Sequence, residues 1–145
     1  MAEVLGIAAS VAGLVSLTVT VSQLSLQYFS NIRKTSKTVQ GYTRELSALH
    51  SVLLRIQEMV ETPEYHQIFA KRPSAFPVPA TAIRSCEAEL ADLKTRLEER
   101  GKRSRWSAKM AALVWPMEAK ETRKSVDMFH RYLEIFNTAL SLDVT

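Results

Sequence analysis

Residues 4–32 hold no formal charge, 29 positions in a row, in a chain where charged residues make up 23% of the whole. A neutral stretch of that length has few fates. As a helix rising about 1.5 Å per residue it extends roughly 43 Å, further than the roughly 30 Å hydrocarbon core of a bilayer. Yet Ser10, Ser16, Thr18, Thr20, Ser22, Gln23, Ser25, Gln27, Ser30 and Asn31 interrupt its apolar residues. The segment is too polar for an obvious permanent anchor and too apolar for an exposed surface helix. On a helical projection Leu14, Leu17, Val21, Leu24 and Tyr28 recur at threes and fours, beside a second stripe of Ala9, Gly13, Ser16, Thr20, Gln23 and Gln27. The first stripe suits a core. The second, small and hydroxyl-bearing, suits close helix approach inside lipid. Two readings stay open: a core helix of a soluble bundle, and a helix buried at rest that inserts later. Val15, Leu17, Val19 and Val21 also alternate with Ser16, Thr18 and Thr20 as a strand would, but the helical periodicity of the rest of the chain favours the helix.

That periodicity is clean. Val39, Tyr42, Leu46, Leu49, Leu53, Ile56 and Val60 follow one another in alternating steps of three and four. Ile83, Cys86, Leu90, Leu93 and Leu97 repeat the pattern, as do Trp115, Ala119, Thr122, Val126, Phe129, Leu133, Phe136 and Leu140. The expectation is an all-α chain: an antiparallel bundle of four long helices over about 3–34, 37–61, 81–100 and 116–142, with short helices in the connections. Gly101 is the expected stop of the third helix, and Pro116 with Glu118 the expected start of the fourth. With 145 residues, 46% of them hydrophobic, and no repeat or break in composition, the whole of 1–145 reads as one domain.

The two long connections differ. Residues 62–80 carry Pro63, Pro73, Pro77 and Pro79, four of the five prolines, together with Tyr65, Ile68, Phe69 and Phe76. This reads as a loop with one short helix near 64–71 that packs down on the bundle. Residues 100–124 instead hold eight Lys or Arg against Glu118 and Glu121, a local balance of +6 that exceeds the +4 of the whole chain. Within it Arg103, Arg105, Trp106 and Lys109 set an aromatic among cations, a combination suited to anionic lipid head groups. A solvated helix end is the simpler account of the same residues. Nucleic acid ranks below both, because no recognition-helix or stacking-sheet pattern accompanies the charge.

Catalytic signals are missing. His50, His66 and His130 stand far apart with no partner at metal-ligand spacing, and the one cysteine, Cys86, falls on an apolar heptad position where a packed thiol is expected. Neither a phosphate-binding glycine loop nor a Gly-x-Ser-x-Gly elbow occurs. The chain is expected not to be an enzyme and to need no metal or cofactor. Only Glu3 precedes the apolar run, so a cleaved signal peptide is not expected, and a single cysteine allows no intrachain disulfide. The expected location is the cytoplasm.

Several ordered landmarks carry a resemblance. They are the opening from Met1 through Val4, Leu5 and Gly6 to Leu17, the Glu45-Leu46-Ser47-Ala48-Leu49 followed by Val52-Leu53, and the closing Trp115-Pro116 that leads to Phe136-Asn137-Thr138-Ala139-Leu140. Together they resemble the fungal N-terminal domains of NLR-type STAND proteins, the HeLo-like domains, over essentially the whole chain. The resemblance implies a helical bundle related to the cell-death domains of fungal heterokaryon incompatibility and to the four-helix killer domain of the animal necroptosis pseudokinase. It further implies an effector of fungal innate immunity. A nucleotide-binding domain or an amyloid motif elsewhere in the polypeptide gathers copies into a homo-oligomer, and the N-terminal helix then permeabilises the plasma membrane. Mapped onto this chain, the membrane-active helix carries Val4, Leu5, Gly6, Ala9, Gly13, Leu14, Ser16, Leu17, Val21, Leu24 and Tyr28. The rival reading is an interaction and oligomerisation module that never enters lipid.

Overall fold

The four heptad stretches become four long helices. In the computed structural model, which describes residues 2–29, 37–64, 67, 78–104 and 119–143, they are α1 (Ala2–Phe29), α2 (Lys37–Glu61), α3 (Ala80–Ser104) and α4 (Ala119–Asp143). The described residues contain no strand, and the fold is an all-α helical bundle.

Local chemistry sets several ends. At the close of α2 the Thr62 N–H donates to the Met59 carbonyl (3.3 Å) and its hydroxyl to the Glu58 carbonyl (2.8 Å). Pro63, next in line, has no N–H to extend the ladder. Before α3, the Pro79 carbonyl accepts from the N–H groups of Ala82 (3.1 Å) and Ile83 (3.2 Å), so the chain enters the helix from a proline that already supplies its first acceptor. Glu121 sits in the first described turn of α4, where a carboxylate complements the helix dipole. Gly101 does not stop α3, which continues to Ser104. A glycine ends a helix by turning left-handed, and no described residue has a positive φ. The expected part of α1 beyond Phe29, the start of α4 at Pro116, and Tyr65, Ile68, Phe69 and Phe76 lie outside the described residues. Of the short helix expected near 64–71, Glu64 and Gln67 are described, and both are helical and exposed.

The core follows the heptads of α2 and α3 closely. Val39, Tyr42, Leu46, Leu49, Leu53, Ile56 and Val60 are all buried, none more than 6% exposed, and so are Ile83, Cys86, Leu90, Leu93 and Leu97. On α4 the inward stripe is turned from the expected one. Phe129, Phe136 and Leu140 are buried as expected, but Val126 and Leu133 are half-buried while Ser125, Tyr132 and Ala139 go inside. The helices form a ring in the order α3, α1, α2, α4, with long seams α1/α3, α1/α2 and α2/α4 and a sparse one between α3 and α4. Sequence neighbours α2 and α3 therefore stand diagonally. Tyr42 meets Phe129 edge-on at 5.2 Å, fixing α2 against α4.

Candidate functional site

The neutral N-terminal run forms α1, and hydroxyls rather than leucines decide which face it buries. Its innermost line is Val11, Leu14, Thr18, Val21 and Ser25, each at most 2% exposed. Of the expected greasy stripe, Leu14 and Val21 are on that line and Leu17 and Leu24 are half-buried beside it. The reason is specific pairing with α2. Thr18 donates its single hydroxyl proton to the Val15 carbonyl (2.7 Å), so the His50 contact at 2.9 Å has the imidazole Nδ1–H donating to Thr18 Oγ1. Ser25 likewise donates to the Val21 carbonyl (2.7 Å) and accepts from the Tyr42 hydroxyl (2.8 Å). Burial pushes the Tyr42 phenol up to about 12, with the Ser25 hydrogen bond pulling the other way, so the donor stays protonated. Residue numbers rise along α1 as they fall along α2 in these two pairs, which makes the helices antiparallel.

The outward line of α1 is Gly6, Ala9, Ala12, Ser16, Val19, Gln23 and Leu26, all exposed and none charged. Among the described residues the exposed large apolar side chains are Val19, Leu26 and Leu54, the first two on this line. By length and composition Gly6–Leu26 suffices to cross a membrane, with a mean hydropathy of 1.7, yet only 22% of that window is buried. A core helix of a soluble bundle passes the same length and hydropathy test, but there most of the window is buried. Beside the line, a shallow cavity of about 140 Å³ opens between α1 and α2, lined by Ser22 and Leu26 on one side and Thr43 and Ser47 on the other.

Gly6 is exposed and Gly13 half-buried, and a methyl group built on either meets nothing within 4 Å. Neither glycine serves a close approach inside the bundle, and each costs the helix about 0.5–1 kcal/mol relative to alanine. Val4, Leu5 and Tyr28 belong to α1, but their side chains lie outside the described residues. The same holds for the Arg103 side chain in the last turn of α3, and Arg105, Trp106 and Lys109 fall outside altogether. Of the basic stretch, Lys120, Arg123 and Lys124 are exposed along the first turns of α4.

Elsewhere the chemistry is quiet. Cys86 is wholly buried, and burial pushes its thiol up to about 12, Glu89 and Glu87 adding to the shift and Arg131 opposing it. Such a thiol is not a nucleophile. The described residues hold no cluster of three or more His, Cys, Asp or Glu able to share a metal ion. Sequence reasoning missed Val11, Thr18 and Ser25 as inward positions, and Val19 and Leu26 as outward ones. The spacing 11, 14, 18, 21, 25 was there to be found, but two of its members are hydroxyl residues that a hydropathy filter discards. Compared with known proteins, the chain matches no family model, no curated protein and no solved structure.

Proposed function

We propose that this bundle is a membrane-permeabilising cell-death effector domain of the HeLo-like kind, held in the cytoplasm at rest and acting at the plasma membrane when several copies are gathered. The observation that carries the reading is α1: a helix with no charge from Gly6 to Leu26, long enough to span a bilayer, and packed so that a neutral face looks out. Its buried hydroxyls travel with it. Thr18 and Ser25, both buried, each donate to a carbonyl one turn back in α1 itself at 2.7 Å, and the half-buried Thr20 does the same at 3.0 Å. Hydroxyls satisfied in this way lose little when α2 is exchanged for hydrocarbon. Apolar burial surrendered on leaving the bundle, worth about 25 cal/mol per Å², is recovered in lipid. The exposed cations at the start of α4 support contact with anionic head groups, at roughly 1 kcal/mol each. Clustering supplies the bias by raising local concentration.

The outward small residues also favour a second reading, in which Gly6, Ala9, Ala12 and Ser16 form a close helix contact between copies in water and the domain only oligomerises. Dye release from anionic liposomes separates the two, using the domain fused to an inducible oligomeriser. Under the membrane reading leakage requires clustering, and Ser16→Glu, at an exposed position, stays folded but abolishes it, because a carboxylate in hydrocarbon costs several kcal/mol. Leakage retained in Ser16→Glu sinks insertion of α1. No leakage from folded, clustered wild type leaves the oligomerisation module.

A further inference from the structure

The ring of helices resolves into two pairs, α1/α3 and α2/α4, joined along α1/α2 and barely touching along α3/α4. The joining seam is bonded twice, by Thr18 with His50 and by Ser25 with Tyr42. What crosses the sparse seam is a cluster on Glu89 of α3, which accepts from the Tyr132 hydroxyl and pairs at the surface with Arg131, both of α4. One terminal nitrogen of Arg131 on α4 donates to both carboxylate oxygens of Glu89 on α3, at 2.9 Å each, while its guanidinium lies 5.1 Å from the Tyr132 ring centroid. Both partners are exposed, with 58% and 42% of their side-chain surface open to water. Cys86, one turn before Glu89, is wholly buried behind this contact and close enough for the Arg131 charge to act on its thiol.

We propose that the bundle opens along the α3/α4 seam, the α1/α3 and α2/α4 pairs swinging about α1/α2, with the Glu89–Arg131 contact as the latch. An exposed ion pair holds a seam only weakly and is screened by salt, so a charged partner or surface that competes for either residue tips the equilibrium. Opening here gives water access to the inward side of α3 at Cys86 without breaking either hydrogen bond of the α1/α2 seam. This movement belongs to the bundle in water. It is independent of whether α1 enters lipid and is read without any membrane.

Cys86 is the only cysteine in the chain, which makes thiol labelling the readout. The wild-type domain is treated with excess 5,5′-dithiobis(2-nitrobenzoate) in buffer without denaturant, and again across a urea series. Arg131→Glu, which sets two carboxylates face to face, is expected to raise the labelling rate roughly tenfold, and the exchange Glu89→Arg with Arg131→Glu to bring it back within about threefold of wild type. Glu45→Gln, which weakens the contact to His130 on the α2/α4 seam, serves as control and leaves the rate near that of wild type. In urea the wild-type rate climbs less steeply than global unfolding does, because a seam exposes only part of the core. If circular dichroism shows Arg131→Glu unfolded, Arg131→Gln carries the test with an expected rise of about threefold. The latch is overturned if the folded Arg131 variant labels no faster than Glu45→Gln, or if wild-type labelling follows the full urea slope of global unfolding.

Discussion

α1 and α2 are nearly equal in length, 28 and 25 residues, and lie against each other, but opposite means orient them. α2 separates its faces. Every residue of its heptad is buried, while Lys37, Arg44, Arg55 and Glu58 stand in water. Its rotation about its own axis follows from hydropathy alone. α1 is uncharged on all sides and mixes apolar with small polar residues around its circumference, so hydropathy separates its faces only weakly and the choice falls to hydrogen bonds. Thr18 and Ser25 go inside because His50 and Tyr42 meet them, and Val19 and Leu26 come out as a result. Where hydropathy is uniform, a few directional contacts decide a helix's orientation.

The strongest test of that contrast is truncation. Leu49→Ala on α2, at a wholly buried site, is expected to cost about 2–5 kcal/mol in urea unfolding, whereas Val19→Ala on α1 stays within about 0.5 kcal/mol of wild type. Equal losses would mean that α1 buries its outward face after all. Next comes the orienting contact. Tyr42→Phe removes the donor to Ser25 and is expected to cost about 1 kcal/mol, and much less in a Ser25→Ala background, where that bond is already gone. A full loss in both backgrounds would show that the pair does not orient α1.

Gly13→Ala sharpens the comparison from the other side. The added methyl meets open space, so thermal unfolding should show a gain of about 0.5–1 kcal/mol, while liposome leakage falls if the glycine serves a helix contact made only after release. The smallest effect concerns the α2/α4 seam. His130 Nδ1 lies 3.4 Å from Glu45 and Nε2 2.9 Å from Glu134. The hydrogen bond to Glu45 first, then the Glu134 charge, hold the imidazolium above its ordinary 6.5. A raised folded value means that this contact contributes fully below 6.5 and is lost as pH rises through the folded midpoint. NMR titration of Glu45→Gln should move the His130 midpoint down toward the ordinary value, and an unchanged midpoint would remove Glu45 as the cause.

Much of the fold was legible because α2 and α3 keep their apolar residues on one stripe. The four helices and the inward positions of those two helices follow from spacing. The order around the ring does not. It depends on tertiary pairs such as Tyr42 with Phe129, whose members lie far apart in the chain and carry no mark of each other. On α4 the stripe was misaligned because Ser125 and Ala139 are small enough to sit inside while Val126 and Leu133 cover the edge. In the candidate site, the neutrality and length of α1 were plain from the residues. Its facing was hidden, because a hydroxyl that bonds its own helix backbone is nearly as easy to bury as a methyl group.

The ring order also bears on how the chain assembles. The Ser25–Tyr42 pair closes a separation of 17 residues, the Arg131–Glu89 pair one of 42 and the Glu45–His130 pair one of 85. Closure entropy grows with the logarithm of loop length, so α1/α2 is favoured over α2/α4 by about 1.4 kcal/mol before any packing is counted. Refolding should therefore start from the α1/α2 hairpin, before the more distant α2/α4 pair closes. Run backwards, this places a constraint on any mechanism that withdraws α1. Extraction of that helix takes away the long seam of α3 and leaves α3 beside α4 on its sparse one, so the withdrawal of one helix loosens a second.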